Sequence, residues 1–322
     1  MKPTLILTIT RACNLRCSYC PTVKTGWPNL SIADLRRSIQ LFVELFAGGD
    51  IKIFGGEPLL APEGVDFVLQ EVCRYPQIRW LYLSTNGLGL NQQWLEKLRK
   101  HPKVILTISM DGRPADHRRM RRSLKGVPDA YEHLVQLKSE LLTLPRMVVT
   151  QTIAPALADQ AANNFAHLCS LGFRKFNFLP GYFLPWKETQ LQALEENFQQ
   201  MASWIKSYWR QGKYLYVRNL FVRAPTPFFN TGFVVDADRS IHPSNLGLSA
   251  SLDHLRAQTQ IGDLDVPPSR TQLENKAAQI NQLLQQELPA RVWDSTLAAD
   301  QRLSRFCQQL WPAYMRTRRR AG

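Results

Sequence analysis

Two patterns of apolar residues alternate along the first half of the chain. Short apolar runs are typical of buried strands, whereas apolar residues that recur every three or four positions are typical of helices that pack on one face. The runs predict six strands, at positions 5–10, 51–54, 80–83, 104–108, 147–153 and 176–179. The periodic stretches between them predict helices, the first capped by Ser31 and later ones at 92–98, 130–142 and 158–171.

Strand–helix units in series predict an α/β fold with a parallel sheet and right-handed crossovers. The pattern changes after Pro180. There we predict Gln-rich helices at 191–209 and 271–288, a last helix at 298–311, and β-like stretches at 214–217 and 233–241. We therefore expect two domains, 1–185 and 186–322, the second being a small α+β extension.

The composition is that of a globular protein, because 44% of the 322 residues are hydrophobic. No apolar run reaches the roughly 18 residues of a membrane span, and the segment before the first strand is too short for a signal peptide. Clustered cysteines persist as thiols in a reducing compartment, so we predict a cytoplasmic protein with no membrane partner.

The net charge is +14, and part of it lies in a cluster at 118–125 and in a tail at 316–320. Such a balance fits either a solvated basic surface or a surface that binds an anionic partner, and both interpretations remain open. No motif with interleaved aromatic residues indicates DNA or RNA, so nucleic-acid binding is not predicted.

Three cysteines stand close together directly after the first predicted strand. Cys13, Cys17 and Cys20 have the spacing C-x3-C-x2-C, so their thiolates can converge on one soft metal centre. Iron–sulfur clusters normally have four cysteine ligands, and three would leave one iron of a four-iron cluster open to a small molecule. A zinc site would need a fourth ligand, but no second cysteine pair exists and the nearest histidine is His101. A disulfide is more typical of short secreted chains.

The stretch from Arg11 to Cys20 resembles the cluster loop of radical S-adenosylmethionine (SAM) enzymes. The resemblance implies that the three cysteines hold one [4Fe-4S] cluster, whose fourth iron chelates the methionine part of SAM. An electron from the cluster would cleave SAM to a 5′-deoxyadenosyl radical, which removes a hydrogen atom from the substrate. Tyr19 matches the family position that packs against adenine. The family fold is a partial (β/α)6 barrel of the TIM type, and a flavodoxin- or ferredoxin-type protein supplies the electron.

Two further family motifs follow the second and third predicted strands. Gly55-Gly56-Glu57-Pro58 matches the family's GGEP motif, which contacts the SAM amino group. Glycines allow a close backbone approach to a ligand, although a tight turn alone would also explain them. Ser84 and Asn86 belong to an S-T-N-G sequence that lines the SAM and substrate cavity in the family. Asn-Gly is also an ordinary turn signal.

Family positions also follow the fourth predicted strand. Ser109 matches the residue that bonds the SAM ribose, and Arg121 matches the arginine that pairs with the SAM carboxylate. Asp111 is a candidate acid or base, with turn capping as the alternative. Gln151, on the fifth strand, is a candidate cofactor contact if it faces the cavity; an outward orientation is the alternative.

The motif set resembles most closely the branch of the family that modifies peptides and proteins. That branch usually carries a cysteine-rich SPASM domain with auxiliary clusters, but Asn230 and Ser244 stand here where cysteines would be expected. No auxiliary cluster is therefore predicted. The expected substrate is a ribosomally made precursor peptide, modified by epimerisation, cross-linking or backbone excision. Because the first strand begins at once, a separate leader-peptide recognition protein is the expected partner.

Two other functions remain as alternatives. One is radical chemistry on a small biosynthetic intermediate, and the other is a non-catalytic iron–sulfur or nucleic-acid-binding protein. Cys73 and Cys169 are predicted to be core residues. Cys307 is a candidate donor that returns a hydrogen atom to the substrate, with simple packing as the alternative.

Overall fold

Six parallel strands form the centre of one sheet and follow one another in chain order. They are β1 (Thr4–Thr10), β3 (Gly49–Gly55), β4 (Ile78–Thr85), β5 (Val104–Ser109), β7 (Met147–Ile153) and β8 (Lys175–Pro180). The structure is a computed structural model that describes residues 2–20, 22–24, 26–222, 232–244 and 250–320. All six predicted strands are confirmed, with ends that differ by at most two residues.

Seven helices belong to this part of the chain. They are α1 (Ile32–Phe46), α2 (Pro62–Glu71), α3 (Gln92–Lys100), α4 (Pro114–Met120), α5 (Ala130–Gln136), α6 (Lys138–Leu142) and α7 (Ala161–Ser170). Ser31 caps α1 through a reciprocal capping box with Asp34, as predicted. The helix predicted at 130–142 is broken at Leu137, whose ψ of 4° departs from helical geometry.

The C-terminal part extends the same sheet at both edges. Its strands are β9 (Tyr216–Val217), β10 (Phe233–Val235), β11 (Ser240–His242) and β12 (Gly262–Asp263), and its helices are α8 (Glu188–Arg210), α9 (Arg256–Thr259), α10 (Arg270–Glu287) and α11 (Ala290–Arg320). The complete order is β12-β11-β10-β1-β3-β4-β5-β7-β8-β9. The sheet has two ends and does not close into a full barrel, which agrees with the predicted partial barrel.

Strands β10 and β11 form an antiparallel hairpin within the stretch that the sequence predicts to be β-like, at 233–241. Their turn contains Arg239, which has a φ of 75°. Because β10 pairs with β1 and β9 pairs with β8, the sheet is continuous across the predicted domain boundary. The division at residue 185 stays a prediction.

The two faces of the sheet differ in chemistry. Side chains alternate along a strand, and on one face Leu5, Leu7 and Ile9 belong to the main hydrophobic core with residues of the helices. The opposite face, here called the inner face, carries many polar residues. Several mid-strand side chains on it are only partly buried: Ile6, Lys52, Phe54, Tyr82, Ser84, Ile105, Ser109 and Asn177. Solvent therefore reaches the inner face, which leaves room for a ligand.

Within the described part of the chain, no helix combines the length and apolar character needed to span a bilayer. Cys169 is buried as predicted, and its burial raises the pKa of the thiol to about 12. The prediction for Cys73 is wrong, because this residue is exposed and its Sγ lies 3.4 Å from Nε2 of His101. Asn230 lies outside the described residues, whereas Ser244 is buried.

Candidate active site

The cluster loop, residues 11–20, follows β1 at the carboxyl end of the parallel strands. Cys13, Cys17 and Cys20 are partly buried, and each is a free cysteine. The amide of Leu15 donates a hydrogen bond of 3.4 Å to Sγ of Cys13, an interaction that favours a thiolate. Among the described residues, no three His, Cys, Asp or Glu side chains converge on a single metal ion. A four-iron cluster binds each thiolate through a different iron, so this donor set fits such a cluster better than one zinc ion.

The charges around the cluster loop suit a negatively charged ligand set. Burial raises the pKa of the Cys17 thiol to about 11, although the guanidinium of Arg121 opposes this shift. Burial also raises the pKa of Cys13, against the effects of the Leu15 hydrogen bond and the charge of Lys24. Cluster binding must therefore release protons, and the two cations remain to compensate the thiolate charge.

A short antiparallel ribbon joins this loop to Arg121. Strand β2 (Leu15–Cys17) pairs with β6 (Arg121–Ser123), so that Cys17 stands directly opposite Arg121. The amide of Ser18 also donates to the carbonyl of Met120 over 2.8 Å. The sequence did not indicate this ribbon, because strands of three residues carry no readable alternation of polar and apolar positions.

Tyr19, Asp111 and Arg121 form one hydrogen-bonded group beside the ribbon. Oδ2 of Asp111 accepts from the Tyr19 hydroxyl over 2.8 Å and from Nε of Arg121 over 3.0 Å. Oδ1 accepts from the amide of Thr152 over 3.1 Å. Both oxygens of Asp111 are therefore engaged in holding neighbours, and this geometry does not support its predicted role as an acid or base.

The electrostatics of this group keep Arg121 charged and Tyr19 neutral. Burial alone would lower the pKa of Arg121, but the charge of the Asp111 carboxylate is the main interaction that raises it overall. Burial raises the pKa of Tyr19 well above its ordinary value, despite the guanidinium of Arg121. Among the described residues, Arg121 donates a hydrogen bond only through Nε. Its two terminal amino groups are consequently available to an anionic ligand.

The two glycines of the GGEP loop are required by contacts within the chain. A Cβ on Gly56 would lie 2.2 Å from the carbonyl oxygen of Ala12 and 2.3 Å from that of Arg11. Gly55 has a φ of 139°, and its Cβ would lie 2.0 Å from the oxygen of Thr10. The sequence suggested close approach to a ligand; the structure shows close approach to the cluster loop.

Glu57 ties three loops together. Its carboxylate accepts from the amide of Leu59, the hydroxyl of Thr85 and the amide of Asn86, at 3.0, 2.7 and 2.7 Å. Burial raises its pKa, and these hydrogen bonds limit the rise. Asn86 in turn donates to the side chain of Asn14 over 2.8 Å. Oε2 of Glu57 accepts only one of these bonds and keeps a lone pair for an ammonium group.

Residues 7–154 match the family model described as the Radical SAM superfamily. The chain carries a radical SAM domain. Bovine (Bos taurus) molybdenum cofactor biosynthesis protein 1 is 37% identical over 112 residues, which cover 33% of this chain and 17% of that protein. A GTP 3′,8-cyclase of Stenotrophomonas maltophilia (strain R551-3) is 29% identical over 161 residues, 49% of this chain and 48% of that enzyme. A probable GTP 3′,8-cyclase of Archaeoglobus fulgidus is 25% identical over 250 residues, 73% of this chain and 80% of that protein.

The chain thus matches much less than two thirds of the bovine protein's length. Among solved structures, native anSMEcpe with bound AdoMet has a TM-score of 0.75 at 14% identity and covers 97% of this chain and 99% of that one. Streptococcus suis SuiB bound to S-adenosylmethionine has a TM-score of 0.57 at 14% identity, with 82% and 62% covered. At these identities the likeness shows a shared fold.

Two predicted site residues lie away from the inner face of the radical SAM domain. Gln151 shares the helix-facing side of β7 with Val149 and Ile153, and its amide donates to the carbonyl of Ala161 on α7 over 3.1 Å. Its prediction as a cofactor contact is therefore wrong. Cys307, on α11, packs partly buried against the main core. This position supports simple packing, and the role of Cys307 as a hydrogen-atom donor stays a prediction. Ser84 and Ser109 do lie on the inner face and are partly exposed.

An ion-pair network that the sequence did not indicate supports the cluster loop from the C-terminal hairpin. Arg11, fully buried, donates through Nε to Asp236 over 3.0 Å. Arg256 donates to the same carboxylate over 2.5 Å. The ring of Trp27 lies 3.5 Å from the Arg11 guanidinium and 4.5 Å from that of Arg256. The extension therefore contributes directly to the position of the radical SAM cluster loop.

Two buried histidines stay neutral beside these networks. Nδ1 of His117 accepts from the amide of Asp111 over 3.3 Å, and His242 lies between the hydroxyls of Ser240 and Thr259. Burial lowers the pKa of each to about 4. Because an unfolded histidine titrates near 6.5, the unfolded state takes up protons first as the pH falls.

The contribution of these two histidines to the free energy of unfolding is therefore expected to be constant above pH 7 and to fall between pH 6.5 and 4, by about 1.4 kcal/mol per unit of pKa difference for each histidine. Urea unfolding at pH 7, 6 and 5 measures this loss. The His117→Asn/His242→Asn variant should lose most of the slope, since asparagine keeps polar contacts and does not titrate. An unchanged slope in the variant would assign the pH dependence to other groups.

Proposed function

We propose that this protein cleaves SAM reductively and removes a hydrogen atom from a substrate held against the inner face of the sheet. The observation that carries the proposal is the β2–β6 ribbon, which places Arg121 opposite Cys17. It brings the guanidinium of Arg121, whose terminal amino groups make no hydrogen bond with the described residues, to the loop that carries three free thiols. A non-catalytic iron–sulfur protein would have no use for that arrangement.

Each residue of the candidate active site has its own role in this proposal. Cys13, Cys17 and Cys20 would hold one [4Fe-4S] cluster, which supplies the electron for cleavage when it is bound. The terminal amino groups of Arg121 would bind the SAM carboxylate, and Oε2 of Glu57 would accept from its ammonium. Tyr19 would pack against the adenine, positioned by its hydrogen bond to Asp111. Ser109 and Ser84 present hydroxyls on the inner face for ribose or substrate.

A ribosomally made peptide is the leading substrate proposal. The sheet and the C-terminal extension share their fold with anSMEcpe, a protein whose solved structures include one with a bound Kp18Cys peptide. SuiB has been solved bound to its precursor peptide SuiA. The net charge of +14 would favour an acidic leader segment. A separate recognition protein and a flavodoxin- or ferredoxin-type reductant, all in the cytoplasm, complete this proposal.

A small anionic substrate is the second candidate. It is favoured by the sequence relatives, several of which are named as GTP 3′,8-cyclases. The chain contains six cysteines, and only three of them lie in the cluster loop. A second cluster is therefore not part of either proposal.

One experiment tests the chemistry and separates the substrates. Anaerobically reconstituted protein is incubated with SAM and dithionite, and 5′-deoxyadenosine is quantified by liquid chromatography with mass spectrometry. We expect 5′-deoxyadenosine to form. In parallel arms, GTP or short peptides encoded beside this gene are added and examined for a mass change. A peptide mass change supports the leading proposal, a converted nucleotide supports the second, and no 5′-deoxyadenosine from cluster-loaded protein refutes both.

A further inference from the structure

Two cations lie on the inner face without an anionic partner. Lys52 is in the middle of β3, and Arg218 follows β9 directly. Among the described residues, neither side chain makes a hydrogen bond or an ion pair, and each contacts an aromatic ring. Proteins rarely hold a partly buried charge without a partner, because the loss of hydration is not compensated.

Tyr82 neighbours both cations in the sheet. The guanidinium of Arg218 lies 4.4 Å from the ring centroid of Tyr82, which is the Cα partner of Lys52 in the sheet. Nζ of Lys52 lies 4.7 Å from the ring of Phe54 on its own strand. Burial, and then the like charge of Arg218, lowers the pKa of Lys52 to about 8. Arg218 is the charged group that contributes to this shift, and no carboxylate does.

The acid on the same face of β3 is already neutralised. Asp50 lies two residues before Lys52, and its two oxygens accept from Nε and Nη2 of Arg79 at 3.0 and 2.7 Å. This bidentate ion pair neutralises the charge of Asp50, so that Asp50 does not compensate the positive charges of Lys52 and Arg218. Such uncompensated charge costs stability, and residues kept at such a cost are candidates for ligand binding.

The position suits a substrate and not SAM. Lys52 precedes Gly55 by three residues, which places it roughly 10 Å along the strand from the end that carries the cluster loop. The side chains of Lys52, Tyr82 and Arg218 are all partly exposed, so a ligand can reach them from solvent. Tyr82 adds a hydroxyl for which the described residues provide no hydrogen-bond partner.

We propose that Lys52 and Arg218 bind an anionic group of the substrate, a carboxylate or a phosphate, on the inner face of the sheet. This inference rests on the proposed function and narrows its substrate class. Arg218 offers a planar fork and Lys52 a point charge, and Tyr82 supplies a further donor between them. The same chemistry would accept an acidic residue or C-terminus of a peptide, or the phosphate of a nucleotide.

The test is anion binding to the SAM-free 322-residue protein, measured by thermal unfolding and by calorimetric titration. Inorganic phosphate and succinate are compared at constant ionic strength, with potassium chloride as the reference salt. We expect at least one anion to raise the Tm of the wild-type protein. Lys52→Met and Arg218→Met should each weaken the binding of that anion at least tenfold. The controls Lys100→Met and Arg210→Met, at exposed positions, should leave its binding unchanged.

The stability of the ligand-free variants distinguishes binding from a structural role. Removing one of two unpartnered like charges should leave the Tm unchanged or raise it by a few degrees. A rise in Tm with phosphate alone supports a phosphorylated substrate. A rise in Tm with succinate supports a substrate with a carboxylate. The proposal is overturned if neither anion binds, if both variants retain binding, or if both variants unfold at lower temperature than the wild type. SAM cleavage is assayed on the same preparation, so that failure of the anion-binding proposal can be distinguished from failure of the proposed radical chemistry.

Discussion

Replacing Cys13, Cys17 and Cys20 together by alanine is expected to abolish both the brown, oxygen-sensitive chromophore and the formation of 5′-deoxyadenosine. Thiolates are the ligands of iron–sulfur clusters, and the alanine side chain offers no donor. The fold should survive, because the three residues are partly exposed and none of them belongs to the main core. Absorbance, iron and sulfide content, and 5′-deoxyadenosine yield measure the first effect, and circular dichroism measures the second.

The matched control is Cys73→Ala/Cys307→Ala, which removes two thiols outside the cluster loop. It should keep the chromophore, SAM cleavage and substrate turnover. A chromophore that persists in the triple variant would refute the assignment of the ligands. Loss of turnover in the control, with SAM cleavage intact, would support Cys307 as a hydrogen-atom donor.

Arg121→Met is expected to destabilise the protein by about 3–5 kcal/mol, because it leaves the carboxylate of Asp111 buried without its cation. Asp111 is 1% and Arg121 8% exposed at the side chain. The same variant should bind SAM at least tenfold more weakly, since it also removes the proposed carboxylate ligand. Urea unfolding measures the stability, and equilibrium dialysis with cluster-loaded protein measures SAM binding.

Arg118→Met is the control, because Arg118 lies on α4 three residues away and its side chain is 45% exposed while paired with Asp129 and Glu132. Exposed pairs contribute about 0.2–1 kcal/mol each, so this variant should remain nearly as stable as the wild type. The double variant Arg121→Met/Asp111→Asn should recover part of the lost stability without recovering SAM affinity. Equal losses in Arg121→Met and Arg118→Met would contradict the burial argument.

Much of the fold could be predicted from local patterns. Apolar periodicity is a property of neighbouring residues, so it located the six central strands and the capping box at Ser31. The cysteine spacing and the GGEP and S-T-N-G sequences also placed the candidate site at the carboxyl ends of three strands. Even the error at residue 137, where one predicted helix is two, concerns only a boundary.

The roles of individual side chains could not be predicted in this way. Gln151 was a candidate cofactor contact, but the register of β7 turns it toward α7. Gly55 and Gly56 seemed to make room for a ligand, yet they make room for the carbonyls of residues 10–12. Asp111 and Arg121 were predicted to have separate roles, but they form a hydrogen bond with each other.

The order of elements and the position of the reactive loop follow from the sequence, because they depend on spacing along the chain. Which groups lie next to a charged side chain depends on which segments, distant in the sequence, come into contact in the fold. Arg11 pairs with Asp236 across 225 positions, and Lys52 faces Arg218 from the opposite half of the chain. Strand pairing across the sheet brings these groups together, and no local pattern records it.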